Sequence, residues 1–99
     1  MRAGTDSAAV RHARVAEAAQ RGDQQALRRL IADNGPYLQR VLYQVLGDDG
    51  EVEDVLNETL YAIIKSIPRL RDPMHVRRWM VRIALNKACL LYTSDAADE

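Results

Sequence analysis

Apolar positions along this chain recur at three- and four-residue spacing, and no alternating strand pattern interrupts them. The clearest run is "VEDVLNETLYAIIKSI". Val52, Val55, Leu56, Thr59, Leu60, Ile63, Ile64 and Ile67 fall on one helical stripe about four turns long. Earlier segments repeat the pattern. A helix is predicted near Ala8–Gln20, ending before "RGD". Asp23 is a candidate N-cap for "QQALRRLIA", which turns Ala26, Leu27, Leu30 and Ile31 inward. "DNGP" at 33–36 is expected to stop or kink that helix, because proline cannot continue the hydrogen-bond ladder. A further stripe then follows at Tyr37, Leu38, Val41, Leu42, Val45 and Leu46, and "GDDG" at 47–50 reads as a turn. "PRLRDP" at 68–73 reads as a loop. Asp72 and Pro73 can start a last helix with Val76, Trp79, Met80, Ile83 and Ala84 buried. The expectation is an all-α fold, a compact bundle of four to five helices with mostly antiparallel neighbours.

The outer face of the 52–67 segment changes the picture. Asp54, Asn57, Glu58 and Tyr61 repeat the helical spacing opposite the apolar stripe, with no Lys or Arg among them. A solvated face with acids favoured by the helix dipole would account for part of this. Charge is segregated on a larger scale too. Gly47–Glu58 holds six acids and no base, whereas Lys65–Ala88 holds seven Lys or Arg and one acid, Asp72. The formal net charge of zero conceals two surfaces suited to two partners, the second a polyanion.

Composition removes other classes. The 99 residues suffice for one small domain. No apolar run reaches the ~20 residues of a membrane span, so no membrane partner is expected. The start "MRAGTDSAAVRHAR" lacks the apolar centre of a secretory signal. A single cysteine, Cys89, excludes an internal disulfide framework, and the cytoplasm is the simplest compartment. His12 and His75 stand alone without metal-ligand spacing. The acids at 48–54 lack the spacing and downstream Glu of an EF-hand. There is no nucleophile–base pair and no glycine-rich phosphate loop, so neither catalytic residues, nor a metal, nor a cofactor is expected.

Taken together, three stretches resemble region two of a bacterial sigma factor of the extracytoplasmic-function group, from about Ala16 to Ala88. "RGDQQALRRLI" resembles the family's opening. "GDDGEVEDVLNETL" resembles its acidic helix start, with Asp54, Asn57, Glu58 and Leu60 where the family writes D-x-x-Q-E-x-F. "IPRLRDPMHVRRWMVRIALNKA" resembles its R-F-R-D-P loop and W-L-x-x-I-A-x-N helix. Asn57 stands for the usual Gln. Leu60, Leu70 and Val76 stand for Phe, which implies a divergent member with a looser core.

The resemblance implies a transcription initiation factor, not an enzyme. It makes Asp54, Asn57, Glu58 and Tyr61 the face that binds the clamp helices of the largest subunit of RNA polymerase core. It makes the basic half the binder of the promoter's minus-ten element, as non-template single strand. Lys65, Arg69, Arg71, Arg77, Arg78, Arg82 and Lys87 would hold phosphates. The 66–75 loop would take an unstacked base, and Asn86 would read a base edge. An anti-sigma factor is a further partner of this class. Trp79 lies on the apolar stripe and is expected to pack in the core. Two rival readings remain: a helical adaptor or anti-sigma-like module without DNA binding, and a helix-turn-helix binder of duplex DNA. The latter needs a three- or four-residue turn, which "PRLRDP" matches poorly.

The last eleven residues, "CLLYTSDAADE", match the conceptual translation of a transposase sequencing adapter. The expected organisation is a flexible start at 1–8, a helical domain at 9–88 and an artefactual tail at 89–99. The family's second DNA-binding domain, region 4, is then absent. Without the tail's three acids, fourteen Lys and Arg face eleven Asp and Glu, a net charge of +3.

Overall fold

Four α-helices and two short 3₁₀ turns make up the computed structural model, which describes residues 8–97 and, for side chains, 8–89. Helix α1 is Ala8–Gln20, α2 is Gln24–Leu46, α3 is Asp49–Ser66 and α4 is Val76–Ala97. The 3₁₀ turns, Ile67–Arg69 and Pro73–His75, lie between α3 and α4. No strand occurs among the described residues, and the all-α expectation holds. The expected flexible start at 1–8 falls outside the described residues, apart from Ala8, which is helical. Helix α4 is continuous across Cys89.

Local chemistry explains most of the boundaries. Asp23 caps α2, its carboxylate accepting from the Gln25 and Ala26 amides, a contact of about 1 kcal/mol. Gly47 ends α2 in the left-handed region at φ 73°, which a side chain would disfavour. Asp48 follows at once as the N-cap of α3, accepting from Glu51 N at 2.9 Å. The turn expected at 47–50 is therefore only Gly47 and Asp48, and Asp49 and Gly50 are already helical. Asp72 caps the second 3₁₀ turn through Met74 N at 3.1 Å, with Pro73 inside it.

One expected break is absent. Helix α2 continues through "DNGP" without stopping, with Pro36 inside it. Pro36 cannot donate to the Ala32 carbonyl, but both residues are exposed, so water can satisfy that carbonyl. On the opposite side Leu30, Leu38, Leu42 and Leu46 are buried in one ladder, with Asn34 between them. Each such leucine contributes about 1.5–3 kcal/mol of apolar burial, which holds both halves of α2 to one core. Tertiary packing outweighs the local breaker.

The core collects Ala16 and Ala19 of α1, that leucine ladder, Val52, Val55 and Ile63 of α3, and Val76, Met80, Ala84 and Ala88 of α4. Ile67 and Leu70 close it from the connection. Two expected core positions lie outside. Val45 is 45% and Ile64 43% exposed, each at the edge of its helical stripe. Trp79 packs partly buried against the core, as expected. No described helix is long and apolar enough to cross a membrane.

Candidate functional site

Two surfaces carry the residues that the sequence singled out. The first belongs to α3 alone. Thr59 sits in the core and donates to Val55 O at 2.8 Å, which fixes the inner face of the helix. Asp54, Asn57, Glu58 and Tyr61 are consequently all exposed on the outer side. None of the four has a hydrogen-bond or ion-pair partner among the described residues. Tyr61 is 63% exposed, and the Lys65 ammonium lies 5.3 Å from its ring centroid. Lys65 therefore groups with the α3 face. Ile64, one turn from Tyr61, adds apolar area that the sequence had assigned to the core.

The second surface is assembled from several elements. Arg69 and Arg71 come from the connection, and Arg78 and Arg82 from one side of α4. Together with Trp79 they line a groove of about 440 Å³. Leu70, Asp72 and His75 complete its wall. A neighbouring groove of about 620 Å³ lies between α1, α2 and α4 and contains His12, Tyr37, Arg77 and Asn86. Arg78, Arg82 and His75 line both grooves, so these two arginines form a cationic ridge between them. Lys87 lines neither.

Arg77 differs from its neighbours. Its Nε donates to Asn34 Oδ1 at 3.0 Å, and its guanidinium lies 4.2 Å from the Tyr37 ring centroid. Asn34 is almost fully buried and donates in turn to Leu30 O at 2.8 Å. Arg77 thus clips α4 to α2, with its Nε donor and its stack on Tyr37 already engaged within the fold. Sequence reasoning missed Asn34, because "DNGP" read as a break hid it from the Leu30–Leu38–Leu42 ladder, and it placed Tyr37 on an apolar stripe without its contact to Arg77. Four-residue spacing through the proline would have exposed Asn34.

The connection between α3 and α4 is likewise held. Gln20, the last residue of α1, donates from Nε2 to Leu70 O at 2.6 Å and to Ile67 O at 3.2 Å. On the far side, His75 Nδ1 donates to Asp72 Oδ2 at 2.7 Å. That bond, followed by the one from Met74 N, holds the Asp72 carboxyl below the usual carboxylate range. His12 lies in the larger groove with its pKa lowered below 6.5, by burial first and by the nearby Arg77 charge second; Asp33 opposes the shift.

No group of three or more His, Cys, Asp or Glu could hold a metal among the described residues. Neither surface assembles a nucleophile and base. What the arrangement offers is two kinds of recognition, a hydrogen-bond-accepting helix face and a cationic grooved one.

The family model for sigma-70 region 2 matches residues 30–96. No curated protein and no solved structure matches. The matched span covers the leucine ladder, the whole acid-bearing helix, the connection and nearly all of α4, including both surfaces. That family is one of transcription initiation factors that engage RNA polymerase and promoter DNA, not an enzyme family. With more than half of its length matched, this chain belongs to the sigma-70 region 2 family.

Proposed function

We propose that this chain acts as the core-binding and promoter-melting domain of a sigma factor of the extracytoplasmic-function type. The observation that carries this reading is the region 2 match across residues 30–96. The separation of an acidic and a basic surface on different elements supports it.

Asp54, Asn57, Glu58 and Tyr61 take the clamp helices of the polymerase largest subunit. Carboxylates and an amide accept from Arg and Lys on that coiled coil. Such a contact is selective and, in water, reversible, as a factor released after initiation requires. Lys65 and Ile64 border the same face. The Arg78–Arg82 ridge, with Arg69 and Arg71, holds phosphates of the non-template strand. Between these cations the groove beside Trp79 accepts an unstacked base, and Asn86 reads another at the far side of the ridge. Arg77 contributes mainly by setting α4 against α2. Polymerase supplies the chemistry. The domain works in the cytoplasm, where polymerase is.

The duplex-binding alternative has little support. Residues 67–75 separate α3 from α4, far more than a three- or four-residue turn. The test is capture of polymerase core by the tagged chain, followed by anisotropy with minus-ten-like single strands and with duplexes. Core capture with a preference for single strands is expected. Tight duplex binding that core does not affect would favour a helix-turn-helix regulator. Core capture without DNA binding would leave a polymerase-binding module only.

A further inference from the structure

The groove beside Trp79 has two of its four arginines on a connection built only of two short 3₁₀ turns and the residues between them, yet recognition of a strand needs them in fixed places. A nine-residue link between helices would ordinarily sample many conformations. Here it is tied at both ends. Asp72 closes the downstream part through Met74 N, His75 N and the His75 ring. Upstream, a side chain from outside the connection, that of Gln20, bonds its backbone.

Both neighbours of the Gln20 amide are carbonyl oxygens, those of Ile67 and Leu70. Only the NH₂ end can satisfy them, because a side-chain oxygen would face two acceptors. The two carbonyls are three residues apart and belong to one turn, closed by Leu70 N donating to Ile67 O at 3.1 Å. Ile67 and Leu70 are themselves buried. One amide therefore fixes the turn that carries Arg69 and aims the chain at Arg71.

We propose that Gln20 is a positioning residue for strand recognition: from the end of α1 it clamps the Ile67–Leu70 turn and so sets Arg69 and Arg71 beside Trp79. This inference rests on the reading of the groove as a single-strand site. Gln20 itself touches no nucleic acid in this account. It acts through the loop, and its loss should blur base preference more than it weakens general attraction to phosphate. Arg78 and Arg82 on α4 keep their places without it.

Three variants separate the outcomes. Gln20→Met keeps the length and loses the donor. Gln20→Glu keeps the shape and sets an acceptor against two carbonyls. Gln20→Lys keeps donors. Hydrogen exchange at the Leu70 amide reports the turn directly, and anisotropy reports the ratio of affinities for a minus-ten-like and a scrambled single strand. Gln20→Met should speed exchange at Leu70 and reduce the ratio by between about threefold and tenfold, the range for one or two lost hydrogen bonds. Gln20→Glu should do more, and Gln20→Lys should restore most of both. The slope of affinity against salt should stay the same in all three. Unchanged exchange at Leu70 in Gln20→Met and Gln20→Glu would overturn the clamp whatever the DNA result. Faster exchange with an unchanged ratio, in a wild type that does discriminate, would overturn the positioning role. A wild type that does not discriminate at all would instead overturn the strand-binding reading, with the exchange data still deciding the clamp.

Discussion

The outer face of α3 and the basic face around α4 are built in opposite ways. The α3 face is a property of one helix. Its four polar residues have no hydrogen-bond or ion-pair partners among the described residues, and their relation to one another is set by about 100° of rotation per residue. The basic face depends on distant parts of the chain. Gln20 holds the turn below Arg69, and Asn34 and Tyr37 hold Arg77. The first face can be altered without disturbing the fold. The second cannot be altered everywhere with equal impunity, because some of its cations also hold the structure together.

The sharpest break in that comparison lies within the basic face. Arg77→Ala should behave as a stability mutation, since it leaves buried Asn34 without its acceptor's partner. The expected loss is about 1–3 kcal/mol, read as a fall of several degrees in Tm by thermal denaturation. A neutral Tm with weakened DNA binding would return Arg77 to the strand-contacting group. Arg78→Ala with Arg82→Ala should show the reverse. Single-strand affinity should fall about tenfold, equivalent to about 1.4 kcal/mol, with a shallower salt dependence. Thermal stability should move by no more than ~0.5 kcal/mol, because both side chains are exposed.

Acid should sharpen the contrast further. The folded chain binds a proton at His12 less readily than the unfolded chain does, because burial and Arg77 lower its pKa from 6.5. The unfolded state therefore holds more protons as pH drops through and below 6.5, and stability falls across that window. Above it the loss is absent. His12→Gln should flatten this part of the stability profile, measured by denaturant unfolding at several pH values. An unaltered profile would remove His12 as its source. The smallest effect is expected at the far end. Deleting Cys89–Glu99 should leave Tm within about 2 °C if, as the adapter-like sequence suggests, these residues were never selected to pack. A larger fall would assign the end of α4 a structural part.

How far each face could be read from the sequence follows the same division. Spacing alone placed Asp54, Asn57, Glu58 and Tyr61 on one exposed side, and residue type found Asp23 as the cap of α2, because these depend on near neighbours in the chain; Asp72, expected to start the last helix, instead caps the 3₁₀ turn before α4, which begins at Val76. The sequence reading missed the continuity of α2 through Pro36, since a local breaker was overruled by leucines on the other side of the helix. It placed Ile64 and Val45 inside, because a stripe has edges that periodicity cannot locate without knowing the width of the contact. What Gln20, Asn34 and Tyr37 do was invisible for a further reason. Their roles depend on partners 40 to 50 residues away, and a lone Gln or Asn carries no pattern. The cationic groove was anticipated as a collection of charges, and the structure divides that collection. Four line the groove beside Trp79, Arg77 works inside the fold, and Lys65 belongs with α3.

The central claim is that the two faces serve two partners independently. Its most direct measurement is anisotropy of a minus-ten-like non-template strand, with polymerase core binding followed in the same samples. Three chains are compared: wild type, Asp54→Lys with Glu58→Lys, and Arg78→Ala with Arg82→Ala. The charge-reversed α3 variant should lose core binding while keeping the weak affinity of the free chain for single strands and an unchanged Tm. The arginine variant should keep core binding and lose the strand. Full core binding by the charge-reversed chain, or loss of both activities together in either folded variant, would contradict the account.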